Sequence, residues 1–176
     1  VAETSDGTLN DMKGQHVTRV HALQALDAAR GGAVPEGNVG GGTGMNCNGF
    51  KGGTGTSSRR LGADEGGWTV GVLVQCNYGT RSELRIAGVL VGREITGAEP
   101  CVAQRLDPPQ RNFAGQPFPL CDRPSGGGDA LREDPEQGSI IVVVATDAPL
   151  TPDQLERVVQ RVSLGMGRLG STHGNG

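Results

Sequence analysis

Residues 66–79 read GGWTVGVLVQCNYG, and the fold turns on how they are taken. From Thr69 to Asn77 the run is almost continuously apolar and rich in valine. Glycines close it at both ends, which fits a strand better than a helix. Because apolar and polar positions do not alternate, the spacing predicts a strand buried on both faces, at the centre of a sheet. Residues 139–146, SIIVVVAT, meet the same criterion and predict a second buried strand.

Helical signals flank these runs. Residues 16–32, HVTRVHALQALDAARGG, predict a helix over 19–30, with Thr18 as N-cap, Val20, Leu23 and Leu26 on one face, and Gly31 as the stop. Ala22 and Ala29 beside that face predict close packing on a sheet. A second helix is predicted over 152–163. Thr151 caps it, Pro152 takes the first position, Gln154 completes a capping box, and Leu155, Val158, Val159 and Val162 share a face. Leu84–Ala87 and Val89–Val91 pair across Gly88 as a short hairpin or bulged strand. After Arg161 the sequence loosens into SLGMGRLGSTHGNG. The class implied is α/β, in a single domain over 1–176 with an irregular Pro/Gly-rich excursion at 97–138.

Composition narrows the function. The 31 glycines and 10 prolines in 176 residues exclude a coiled coil or helical bundle. No stretch approaches the roughly 20 apolar residues of a membrane-spanning helix, and residues 1–10 lack the pattern of a signal peptide. Sixteen basic against nineteen acidic residues, without long runs of either sign, argue against a nucleic-acid partner. Aromatics are confined to Trp68, Tyr78, Phe50, Phe113 and Phe118, so the stacking platforms of single-strand binders are missing as well. Cys47, Cys76, Cys101 and Cys121 have no CxxC spacing and suggest no zinc site. Cys101 and Cys121 bracket a Pro-rich segment. They either close it as a disulfide, which implies an oxidising compartment, or remain free thiols. The compartment, cytoplasmic or periplasmic, stays open.

The densest signal is GNVGGGTGMNCNGFKGGTG at 37–55, which suits neither a regular helix nor a flexible linker. It is not a P-loop, since Phe50 separates Gly49 from Lys51, and Gly40, Gly42 and Gly44 do not match the dinucleotide fingerprint. No GxSxG elbow is present, and Ser57 and Ser58 fall in a polar stretch without an assigned base. His16, His21 and His173 are the only imidazoles, and the first two are spaced too far apart to share a helix face, so they read as surface or packing residues. No metal and no cofactor is implied. At the end of the first strand, Asn77 and Tyr78 carry an amide and a phenol, both able to donate to a developing oxyanion. Asn38 can donate in the same way, with the amides of Gly41 to Gly44, Gly41 and Gly42 among them, as the floor of a pocket. Glu65, Asp64 and Asp147 are the anions available to a substrate's amino group.

Taken together, residues 37–59, 66–92, 138–158 and the closing LGMGRLGSTHGNG closely resemble the DmpA family of self-processing aminopeptidases, peptidase family S58. The resemblance runs in order through roughly two-thirds of the chain. It implies a four-layer αββα sandwich, completed by a second polypeptide. It further implies a precursor that cuts itself after Gly176, leaving this chain as the α subunit and a β subunit whose new N-terminal Ser is the nucleophile. The resemblance places a functional tyrosine at the NYG segment, hence at Tyr78. A terminal amine, with a pKa of about 8, is a reasonable acceptor for the hydroxyl proton of such a nucleophile. The activity implied is removal of N-terminal residues from small peptides, amides or esters, D- or β-amino acid substrates included, by a higher oligomer of αβ units. Two departures stand out: relatives carry a segment before the point matching Val1, and the stretch around Cys101–Cys121 is longer than the family core requires. Two other readings remain: an acetyl transferase resembling ornithine acetyltransferase, with a Thr nucleophile, and a non-catalytic Gly-rich binding module.

Overall fold

The computed structural model of the chain describes residues 3–7, 9–95, 101–105, 107–109, 117–121 and 138–171. The excursion predicted at 97–138 and the expected processing position Gly176 therefore lie largely or wholly outside the described residues. Helix α1 spans Arg19–Asp27, followed by a 3-10 turn at Gly40–Gly44 and the short strands β1 (Asn46–Cys47) and β2 (Phe50–Lys51). Strand β3 (Thr54–Arg60), a 3-10 turn at Ala63–Glu65 and strand β4 (Thr69–Asn77) come next. Strand β5 (Ser139–Thr146) leads into α2 (Pro152–Val159) and α3 (Val162–Arg168).

Strands β3, β4 and β5 form one antiparallel sheet in that order, with β4 central. Thr54 pairs with Gln75 and Arg60 with Thr69 on one side of β4, while Val70 pairs with Thr146 and Asn77 with Ser139 on the other. The predicted central strand is thus central, but its burial is incomplete. Residues 69–76 are only half-buried, and Val143 on β5 is 52% exposed. Three strands form a hydrogen-bonded ribbon but do not supply a layer for each face.

Strand β3 runs TGTSSRR and carries no apolar pattern, so its polar sequence concealed it. Its ladder partner β4 makes it a strand, and Ser57 and Ser58 sit on this edge instead of in a loop. The β1–β2 hairpin turns through Asn48 (φ 48) and Gly49 (φ 67), an Asn-Gly pair suited to the left-handed geometry of a two-residue hairpin loop. The hairpin expected around Gly88 shrinks to one bridge, Ile86 to Val89, across Ala87 and Gly88. A 3-10 turn at Val91–Arg93 replaces its second arm.

Helix α1 stops at Asp27, short of the predicted residue 30, and buries none of its residues, so the packing expected from its alanines is not made among the described residues. Leu26 is 71% exposed. His21 is a capping residue here: its Nδ1 accepts from the Thr18 N–H at 3.0 Å. Helix α2 starts as predicted, with the Thr151 N–H donating to Gln154 Oε1 at 2.8 Å and Pro152 in the first turn. It ends at Val159 instead of 163. The Arg161 N–H reaches Val158 O, a tightened 3-10 bond, and the Ser163 hydroxyl takes Gln160 O at 2.9 Å. The chain then resumes as α3, although Gly165 and Gly167 carry a helix-propensity penalty of about 1 kcal/mol each.

Cys101 and Cys121 are paired, which resolves the alternative left by the sequence, and Cys47 pairs with Cys76 across β1 and β4. The second pairing links residues 29 apart, with no signal in their spacing.

Candidate functional site

Among the described residues, the most buried side chains gather at the C-terminal end of β4. Asn77 is 2% exposed and Tyr78 7%, next to Met45 at 2% and Arg81 at 5%. The Asn77 side chain acts as a cross-link: its Oδ1 accepts from the Asn46 N–H at 3.1 Å, and its Nδ2 donates to Ser5 O at 2.8 Å. One residue on, Tyr78 O accepts from the Asn48 N–H at 2.8 Å. The amide expected as an oxyanion donor is therefore engaged in holding the hairpin and the N-terminal segment, with one N–H of Nδ2 beyond that bond.

The Gly-rich segment wraps this strand end. Gly37 forms a two-bond bridge with Thr54, at 2.7 and 3.0 Å, and the Cys76 N–H donates to Gly53 O at 3.1 Å. A Cβ on Gly42 would stand 2.7 Å from both Gly37 O and Thr54 N, so only glycine fits that close approach. Gly41 is exposed and lies against the Gln75 side chain, which also donates to Thr4 Oγ1. Asn38 is exposed beside Gly37, at the rim. The structure thus gathers Asn77, Tyr78, Gly41 and Gly42 at one end of the sheet, with Asn38 at their margin.

Glu65 and Asp147 are not in this group. Asp147 Oδ1 accepts from the Thr69 N–H at 2.6 Å, and Glu65 Oε2 accepts from the Gly62 N–H at 3.3 Å. Both serve the opposite end of β4, and eight strand intervals at about 3.3 Å put roughly 26 Å between the two ends. Asp64 belongs to the same distant turn.

Several residues at the strand end were not singled out by the sequence. Arg81 donates to Gly49 O and stacks its guanidinium 3.9 Å from the Phe50 ring centroid, tying the hairpin tip to the chain after Tyr78. Gly138 passes so close that a Cβ would meet Asn77 O at 2.6 Å and the Tyr78 Cα at 2.7 Å. Asn46 Oδ1 is buried without a donor among the described residues. The segment leaving α3 returns here too, with the Arg85 N–H donating to Leu169 O at 2.9 Å. Only the Asn-Gly dipeptide at 48–49 offered a local signal for any of these contacts. Among the described residues no group of three or more His, Cys, Asp or Glu is placed to hold a metal ion, and no helix is long and apolar enough to cross a membrane.

Peptidase family S58 matches residues 1–176. Beta-peptidyl aminopeptidase BapA of Sphingosinicella xenopeptidilytica is 50% identical over 174 residues, 99% of this chain and 39% of the relative. BapA of Sphingosinicella microcystinivorans is 49% identical over 176 residues, 100% of this chain and 40% of the relative. Among solved structures, a Burkholderia sp. beta-aminopeptidase superposes with TM-score 0.70 at 46% identity, covering 97% of this chain and 38% of that one. The L-aminopeptidase D-Ala-esterase/amidase of Ochrobactrum anthropi, described as a prototype serine aminopeptidase with a variant of the Ntn hydrolase fold, gives TM-score 0.70 at 41% identity, covering 97% and 38%. The chain belongs to peptidase family S58 and shares the α/β architecture of these relatives, of whose length it spans about two-fifths.

Proposed function

We propose that this chain is the α portion of a self-processing serine aminopeptidase that releases N-terminal residues from small peptides, amides or esters, β-amino acid substrates among them. The observation that carries the proposal is 50% identity to a beta-peptidyl aminopeptidase over 99% of the chain. The names of the relatives favour hydrolysis over acetyl transfer. In this reading a second polypeptide, released by cleavage after Gly176, brings an N-terminal Ser and packs on the half-buried sheet to complete a four-layer sandwich. The exposed apolar side chains on β5 and on helices α2 and α3, such as Val143, Val159 and Leu164, are consistent with such a layer.

The chemistry assigned to this chain is electrostatic. The Ser hydroxyl attacks the carbonyl carbon of the residue being removed, its proton passes to a nearby amine, and negative charge develops on the carbonyl oxygen. Tyr78, at the buried strand end, donates to that oxygen, while Asn77 and the closely packed Gly42 fix the walls and the exposed Gly41 faces substrate, with Asn38 at the rim. Glu65 and Asp147 are left out of this pocket. The αβ units assemble into a higher oligomer. The two cysteine pairings favour an oxidising compartment, the periplasm of a bacterium.

Intact-mass analysis with N-terminal sequencing of the full-length protein after expression tests this. Two polypeptides, the second beginning with Ser, are expected, together with hydrolysis of an aminoacyl anilide. A second polypeptide beginning with Thr, with acetyl transfer from acetylornithine, would overturn the reading. Tyr78→Phe should lower kcat at least about tenfold, and unchanged kinetics would remove Tyr78 from the site.

A further inference from the structure

Lys51 stands on β2 opposite Asn46. Its Nζ donates to Gly42 O at 2.9 Å and to Gly52 O at 2.7 Å, so the ammonium is fixed where the Gly40–Gly44 turn meets the hairpin. Two carbonyls orient a cation without neutralising it. Among the described residues no carboxylate lies within 4.0 Å of the Lys51 ammonium. Lys51 is exposed overall, and the part of its hydration given up to this turn holds its pKa below the usual lysine value. An ammonium has three N–H donors, and the two carbonyls use two of them.

The position of this charge gives it a use. Gly42 O belongs to the turn whose neighbouring Gly41 rests on Gln75, two residues before Asn77, so the cation lies at the edge of the proposed pocket. In a dipeptide the terminal carboxylate is two bonds from the scissile nitrogen. A group that size places its anion within the same pocket as the reacting carbonyl.

We propose that Lys51 receives a carboxylate, that of the C-terminus of a short peptide substrate, which makes Lys51 a specificity-determining residue and dipeptide acids preferred over dipeptide amides. This rests on the aminopeptidase reading above. A carboxylate on the second polypeptide would satisfy the same chemistry, and the experiment separates the two sources.

The test compares kcat and KM of the full-length, processed protein on a dipeptide and on its C-terminal amide, for the unaltered enzyme, Lys51→Met and Lys51→Arg. Loss of one charge-assisted hydrogen bond should raise KM for the acid about tenfold or more in Lys51→Met, with kcat and both constants for the amide little changed, and Lys51→Arg should restore the preference. Equal losses on both substrates, restored by Lys51→Arg, would assign the carboxylate to the second polypeptide and overturn the substrate assignment. Lys51→Met indistinguishable from the unaltered enzyme, or a loss that Lys51→Arg does not restore, overturns the proposal entirely. If the unaltered enzyme turns over neither substrate, the aminopeptidase reading fails first and takes this inference with it, an outcome recognised without any variant.

Discussion

The two ends of β4 are held by different means. At Thr69 the strand is fastened by one element, the end of its ladder partner β5 and the turn after it: the Thr69 N–H donates to Asp147, Thr146 Oγ1 donates to Thr69 O at 2.8 Å, and the connecting turns are exposed. At Asn77 and Tyr78 the strand is buried and clamped by several separate segments, from Ser5, Asn46 and Asn48 to Gly138. Water can replace a lost partner at the first end. It cannot readily do so at the second, where a removed group leaves buried partners unpaired. One strand therefore carries a tolerant end and an intolerant one, and the intolerant end is where the proposed chemistry sits.

The sharpest way to break this contrast is to cut each end once. Asn77→Ala strands the Asn46 N–H and Ser5 O and should lower unfolding free energy by about 2–5 kcal/mol. Asp147→Ala should cost under about 1 kcal/mol, because the Thr69 N–H it releases is exposed. Urea unfolding of the full-length protein measures both, and similar losses would refute the asymmetry.

Glycine substitution sharpens it next. At Gly138 an added methyl meets backbone that has no room to move, so Gly138→Ala should cost about 1–3 kcal/mol. At Gly55 on β3 a Cβ meets nothing within 4 Å. Gly55→Ala should be neutral or stabilising by up to about 1 kcal/mol, and thermal melts of the two variants give the comparison directly.

A covalent check follows. Cys47–Cys76 staples the hairpin to the intolerant end, so alkylation of the folded, unreduced protein should add no label to any of the chain's four cysteines. All four should react after reduction and unfolding. Labelling without reductant, read by intact mass, would remove the staple.

The smallest effect concerns pH. The Thr56 hydroxyl and N–H both donate to Glu36 Oε1 and hold its carboxyl below the usual glutamate value. A lowered folded-state pKa gives stability that is present above the unfolded value and lost as pH falls through the folded one. Glu36→Gln should therefore flatten part of the acid limb of a stability–pH curve while leaving neutral pH almost unaffected. An unaltered acid limb would show the latch to be without weight.

Legibility followed how local each signal was. The apolar runs at 69–77 and 139–146 gave both principal strands, because a continuous valine-rich run has few other uses. The start of α2 was written in Thr151, Pro152 and Gln154. Strand β3 was hidden because an edge strand needs a partner's ladder, not an apolar sequence of its own, and α3 was hidden by its glycines. For the site, Asn77, Tyr78 and the Gly-rich wall were foreseen as companions. Glu65 and Asp147 were grouped with them only because no sequence pattern reveals which end of a strand a loop will reach.

By itself the sequence determined the α/β class, the two buried-type strands, the best-capped helix and, through residues 37–59 and 66–92, membership of a peptidase family. Those properties depend on short-range patterns of apolarity, capping and glycine, which any chain carries in its linear order. Only the tertiary structure decided that Asn77 is a cross-link, that Cys47 meets Cys76 and that Arg81 stacks on Phe50. These depend on pairing register and close backbone approach across tens of residues, where the geometry of the folded sheet, and nothing in the spacing of the letters, fixes which groups meet.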